Sequence, residues 1–223
     1  MTAAGVQRPQ AGAAPAPALA LTAISAVRTV WLYVISRRIP AATCLLTAAG
    51  AVLWTALHWR WSISGGAAAQ QFLPLTIEAA AAAIVAVATY GPFGDTERAA
   101  GRWLPYLRLA VTLVLAAAAF GALTAGAAAG HLAGGDLAMA RNFGGMAGIG
   151  LVGAAAFGGA FGWTGPLAYL LITEGAFAGK WTTPWDWPTR SPHDLGGALC
   201  AGLALAAGMV VIAVRGSRDR GGR

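Results

Sequence analysis

One carboxylate stands deep inside an apolar run: Glu78, one turn past Pro74 in FLPLTIEAAAAAIVAVATY. An acid at membrane depth marks proton relay or cation contact, or else faces an aqueous cleft or bonds Ser or Thr on a neighbouring helix. Arg141 and Asn142 open the glycine-rich stretch RNFGGMAGIG, with Asp136 before them and Glu174 further on as ion-pair partners. That pair reads as an anchor at a helix end. A third group is KWTTPWDWPTRSPHD, where Trp181, Trp185 and Trp187 alternate with Pro184 and Pro188. Its prolines remove backbone donors and its indoles suit a water interface, so it is expected to lie over an outer mouth as a lid, with all three tryptophans at headgroup depth. The fourth is DTERAAGRWLPYLR, in which Asp95, Glu97, Arg98 and Arg102 are interleaved with Trp103, Leu104 and Tyr106. That mixture suits a short amphipathic helix docked on a partner, with a solvated loop as the alternative.

Other chemistries lack their parts. The three histidines, 58, 131 and 193, show no pair at zinc-ligand spacing and read as interfacial side chains. GAFAGKW has three residues between Gly175 and Gly179 where a phosphate loop needs four, and Trp181 stands where Ser or Thr would bind magnesium. No nucleophile, base and orienter come together among the scattered acids and sparse serines. Cys44 and Cys200 lie in apolar stretches as small hydrophobes. The chain is therefore expected to be no enzyme and to hold no cofactor or metal of its own.

The elements that carry these groups follow from composition. Of the 223 residues 57% are apolar and 10% charged, with a mean hydropathy of +0.63, which rules out a water-soluble globule. A spanning helix takes about 20 apolar residues. Six such runs are predicted: 41–57, 72–90, 109–126, 141–161, 165–179 and 195–214, giving an all-α polytopic membrane protein. Pro40 is expected to break the chain before the first span and Pro74 to sit in the first turn of the second. In the fourth, the glycine spacings 144/148 and 158/162 allow close helix approach.

Ahead of the spans, Leu21, Ile24, Val27, Trp31, Val34 and Ile35 recur at three and four residues with Arg28 and Arg37 off that face. This predicts an amphipathic interfacial helix over 18–38, the alternative being a seventh span interrupted by Arg28. The domains are then a disordered cytosolic tail (1–17), the amphipathic connecting helix (18–38), a six-span region (39–215) and a basic cytosolic tail (216–223).

Six spans put both termini on one side. That side holds eleven of the fifteen basic residues (Arg8, Arg28, Arg37, Arg38, Arg98, Arg102, Arg108, Arg215, Arg218, Arg220, Arg223), and the other holds four (Arg60, Arg141, Lys180, Arg190). The excess predicts both termini cytosolic, in a cell membrane. The net charge of +7 is thereby read as topology and not as nucleic-acid binding.

The layout resembles the permease subunits of ATP-binding-cassette exporters whose membrane and ATPase subunits are separate chains. PFGDTERAAGRWLPYLRL, ARNFGGMAGIGLVG and PWDWPTRSPHD look like segments of small actinobacterial membrane proteins of that kind. In that class an amphipathic helix precedes the first span, a cytosolic coupling helix joins spans two and three, and a partly inserted outer element joins spans five and six. The resemblance implies 18–38, 91–108 and 180–194 as their counterparts, covering 18–215. It implies a dimer of permeases, a separate ATPase chain carrying ATP and magnesium, and energy passed through the loop of Asp95, Glu97, Arg98, Arg102 and Trp103. The short fifth span departs from larger permeases. An ion- or proton-coupled secondary transporter and a non-transporting membrane anchor or assembly protein are the alternatives.

Overall fold

The computed structural model describes residues 31, 35, 38–58, 66–89, 104–128, 130, 132, 134–179 and 183–215. Among them are six α-helices and no strand: α1 (Ile39–His58), α2 (Gly66–Ala88), α3 (Leu104–Ala127), α4 (Gly135–Phe157), α5 (Thr164–Gly179) and α6 (Leu195–Arg215). Two short 3-10 turns, Gly159–Phe161 and Trp187–Thr189, lie in the last two connections. Both tails, most of 18–38, the loop carrying Asp95, Glu97, Arg98, Arg102 and Trp103, and Trp181 lie outside the described residues.

Helix boundaries follow local backbone chemistry. Pro40 is the second residue of α1, where no intrahelical donor is needed; the break lies earlier, at Arg38, whose φ of 53° is a left-handed value rare outside glycine. Pro74 is not in the first turn of its helix as the sequence suggested. The helix begins at Gly66, so Pro74 lies inside it, removing one rung of the ladder a turn before Glu78. Helix α4 likewise starts six residues ahead of Arg141 and stops at Gly158, whose φ of 106° only glycine adopts cheaply. The threonine hydroxyls of α1, α2 and α3 bond back to carbonyls of their own helices, as Thr112 does to Arg108 O at 2.8 Å. Hydroxyls satisfied in this way need no water.

Three helices, α1, α3 and α6, are long and apolar enough to cross a membrane. They lie at the edge of the bundle, and α2 and α4 lie at its centre. Leu75, Ile77, Ala81, Ala82, Val85 and Ala86 of α2 are buried, as are fourteen of the 23 residues of α4. Side chains this small let backbones touch. A Cβ at Gly148 of α4 would strike the Ala204 backbone of α6, and one at Gly208 of α6 would come within 2.9 Å of the Gly148 Cα. On the other side Gly50 of α1 meets Ala122 and Gly126 of α3 in the same manner.

The predicted spacings held at two of their four glycines. Gly148 makes the close approach, and a Cβ added at Gly162 would come within 3.1 Å of the Ala86 backbone. Gly144 has only an ordinary contact with Leu205, and Gly158 serves the chain reversal.

Candidate functional site

At one end of the bundle the C-termini of α1 and α5, the N-terminal parts of α2 and α4 and the segment 186–194 surround a cavity of about 310 Å³. It is the end that the basic-residue distribution predicts to face outward. Leu57, Leu75, Met139 and Phe177 supply an apolar wall, and Glu78, Arg141, Asn142 and Arg190 the polar one.

Glu78 is 4% exposed, placed on the inner face of α2 one turn beyond Pro74, which lines the same cavity. The Asn142 side chain lies in hydrogen-bonding range of the carboxyl, and the Arg141 charge acts on it. One carboxyl oxygen, Oε2, has no partner, nor have Oδ1 of Asn142 and Nε of Arg141. Three polar atoms from two facing helices are thus left unpaired in one buried cluster. A buried polar atom without a partner ordinarily costs about 1–3 kcal/mol, so such atoms gather where a ligand or water completes them.

Arg141 is the hinge between this cluster and the segment above it. Its Nη1 donates to the Ser191 carbonyl at 2.7 Å and its Nη2 to the Arg190 carbonyl at 3.1 Å. The sequence suggested Asp136 or Glu174 as partners for a helix-end anchor. Both acids are exposed, and the arginine instead sits a turn and a half inside α4 and ties down the α5–α6 connection. Glu174, on the outer face of α5, is no part of the cavity wall.

The connection, 183–194, is a strap fastened at several points. Trp187 is 4% exposed and stacks on Tyr169 of α5 with ring centroids 4.5 Å apart. Its ring occupies the space a side chain at Gly145 of α4 would need, next to Ala201 of α6. Trp185 and Trp187 differ in their surroundings: Trp185 is 42% exposed, whereas Trp187 is a plug between helices. Glycine at 145 makes that insertion sterically feasible.

The Tyr169 hydroxyl donates to the Trp185 carbonyl at 2.8 Å, and the Thr189 hydroxyl to Asp186 Oδ2 at 2.9 Å. Asp186 is fully buried with Oδ1 unpaired, and burial pushes its carboxyl above the usual aspartate range. Asp194 behaves oppositely. It caps α6 by accepting from Gly197 N at 2.7 Å and pairs with Arg190 Nε at 3.1 Å. The backbone bond first, and Arg190 second, hold its pKa below the usual range.

Tyr169, Asp186, Gly145, Arg190 and Asp194 were not singled out from the sequence. Only the Arg190/Asp194 spacing of four residues was a readable signal. His58 stacks on Trp54 at 4.7 Å, and His193 is exposed on the strap. The chain matches no family model, no curated protein and no solved structure.

Proposed function

We propose that the chain is the membrane permease subunit of an ATP-driven exporter, crossing the bilayer with all six helices and working with a separate ATPase chain. The observation that carries this reading is the cavity of about 310 Å³, walled by the two central helices and closed over by a strap that a single side chain, Arg141, joins to the polar cluster. A bare anchor has no use for unpaired buried polar atoms beside a cavity. A pathway does, since cargo must be held and released.

In this reading α1, α3 and α6 turn their apolar surfaces to lipid, as α5 does with Leu167, Leu171 and Ile172, and α2 and α4 cross at the centre. Both termini are cytosolic, and the loop with Asp95, Glu97, Arg98, Arg102 and Trp103 receives the ATPase. A second copy completes the complex. Closure of the ATPases on ATP tilts the central helices and loosens the strap, so the cavity empties outward.

Affinity purification of the tagged chain from its own membranes, followed by ATPase assay, tests the proposal. A co-purifying nucleotide-binding subunit whose hydrolysis falls when Glu97 and Arg102 are both replaced by Ala is the expected result. Loss of one partner in a buried charged contact typically costs about 2–5 kcal/mol, enough to dissociate a moderate complex. Hydrolysis and association unchanged in that double variant would reject the coupling role.

A second reading has its own support in Glu78, since a buried carboxyl with a free oxygen suits proton- or cation-coupled transport. Reconstituted vesicles separate the two. Uptake driven by a proton gradient without ATP, and abolished by Glu78→Gln, would favour the coupled carrier.

A further inference from the structure

We propose that the turn between α4 and α5, residues 158–163, is seated among the acyl chains of the inner leaflet and does not emerge into the cytosol. The inference rests on the reading in which all six helices cross, but only for the leaflet it names. Its first support is the sequence: between Arg141 and Glu174 there is no Asp, Glu, Lys, Arg or His. The other connection that the reading places on that side carries Asp95, Glu97, Arg98 and Arg102, and basic residues beside a span are what hold a loop in the cytosol. The α4–α5 turn has no such holdfast.

Length gives the second support. Helix α5 has 16 residues, about 24 Å at ~1.5 Å per residue, against a hydrocarbon core of about 30 Å. With Gly179 at the outer boundary, Thr164 stops about 6 Å short of the inner one, and any tilt shortens the reach further. Glu174 is exposed on α5 and needs the outer polar layer, which draws the helix outward and the turn deeper.

The chemistry of the turn suits that depth. Phe157, Phe161 and Trp163 are 59%, 40% and 46% exposed, a surface that lipid chains cover without cost. Irregular backbone is tolerated in hydrocarbon only where its polar groups are met within the protein. Here Gly158 N donates to Ala154 O at 3.0 Å, Phe161 N to Gly158 O at 2.9 Å and Gly162 N to Gly159 O at 3.1 Å. The Thr164 hydroxyl donates to Phe161 O at 2.7 Å. A turn so placed offers no surface to a soluble partner, so under the exporter reading the ATPase docks on 91–108 and not here.

The test uses the full chain in vesicles, with Cys44→Ala and Cys200→Ala as background and Ala160→Cys, Thr183→Cys or Ser217→Cys added singly; Ala160 is exposed at the tip of the turn. An impermeant maleimide should label Thr183→Cys from one side and Ser217→Cys from the other. Ala160→Cys should react about tenfold or more slower than Ser217→Cys from either side, because the thiolate is the reactive form and hydrocarbon disfavours it. Equal rates at 160 and 217 would overturn the proposal, whereas Thr183→Cys and Ser217→Cys labelled from one side would break the six-crossing reading instead. A nitroxide attached to Ala160→Cys in detergent before reconstitution decides the surroundings in either case. Relaxation by oxygen well above that by a water-soluble nickel chelate is the expected result. Nickel dominating places the turn in water, and neither relaxant reaching the label places it against protein such as a second copy; both results overturn the lipid assignment.

Discussion

The peripheral helices and the central pair obey different composition rules. Helices α1, α3 and α6 are long and strongly apolar, yet only 28% of the window that qualifies each as a span is buried. Helix α4 is glycine-rich and carries Arg141 and Asn142, and fourteen of its 23 residues are buried. In water the most apolar helix would be innermost. Here it is outermost, because lipid tails are as apolar as leucine and a helix gains nothing by hiding Leu or Val from them. What a central helix gains is close packing, which favours Gly and Ala, and shelter, which lets it hold Glu78 or Arg141 against protein partners. Hydropathy therefore identifies the periphery, and buried polar atoms identify the centre.

The sharpest way to break this contrast is at the tryptophans of the strap. Trp187→Ala removes a ring packed between α4, α5 and α6 and should destabilise by about 3–5 kcal/mol, as for large aromatics in cores. Trp185→Ala, at a 42%-exposed site, should cost within about 0.5 kcal/mol apart from any interfacial anchoring. Reversible unfolding in mixed micelles measures both, and equal losses would restore the picture of equivalent interfacial indoles. If the strap gates the path, Trp187→Ala also raises ATP turnover uncoupled from transport.

Glycine-to-alanine pairs probe the same contrast at smaller scale. A methyl at Gly148 lands on the α6 backbone, where nothing flexible can yield, and should cost about 1–3 kcal/mol. Gly202 on α6 has open space around its added Cβ, so alanine there should stabilise by up to about 1 kcal/mol through helix propensity. Two losses of similar size would mean that α6 is packed on both faces, as by a second subunit.

The mildest effect is a pH window for the strap. The Asp186 pKa is raised, so its contribution to stability is complete at low pH and is lost as pH rises through its folded value. The Asp194 pKa is lowered, so its contribution is present above the ordinary aspartate pKa and is lost as pH falls through its folded value. The strap is therefore tightest near the ordinary aspartate pKa, where both contributions are present, and loosens as pH moves from there toward either folded value. Hydrogen exchange across 186–194, corrected for intrinsic rates, should show a minimum there, and Asp186→Asn should abolish the rise on the alkaline side only.

How much of this was readable beforehand varies by element. The six helical runs were legible to within a few residues at most ends, since apolarity over a turn or two is a local property. Pro74 and the start of α4 were misplaced because polar and small residues at 66–71 and 135–140 weakened the pattern, although the helix continues through them. Glu78, Arg141 and Asn142 were legible as unusual. That they meet was not, since residues 78 and 141 face one another only through the packing of α2 against α4. Trp187 was read with its neighbours as one kind of residue, because the glycine that receives it lies 42 positions earlier in the chain.

Sequence alone determined that this is a bundle of apolar helices, where each begins and ends to within about two turns, and that a few ionisable groups sit among them at a cost. Those are properties of runs and single positions. Tertiary structure decided which helices are central, which acid is sheltered and which exposed, and that Arg141 fastens the strap above Glu78 instead of pairing with Asp136 or Glu174. The physical reason is that a partner in a low-dielectric interior is chosen by geometry over a few ångströms. Helices brought within that distance by Gly148 and Gly208 are distant in the chain, and no local pattern records the meeting.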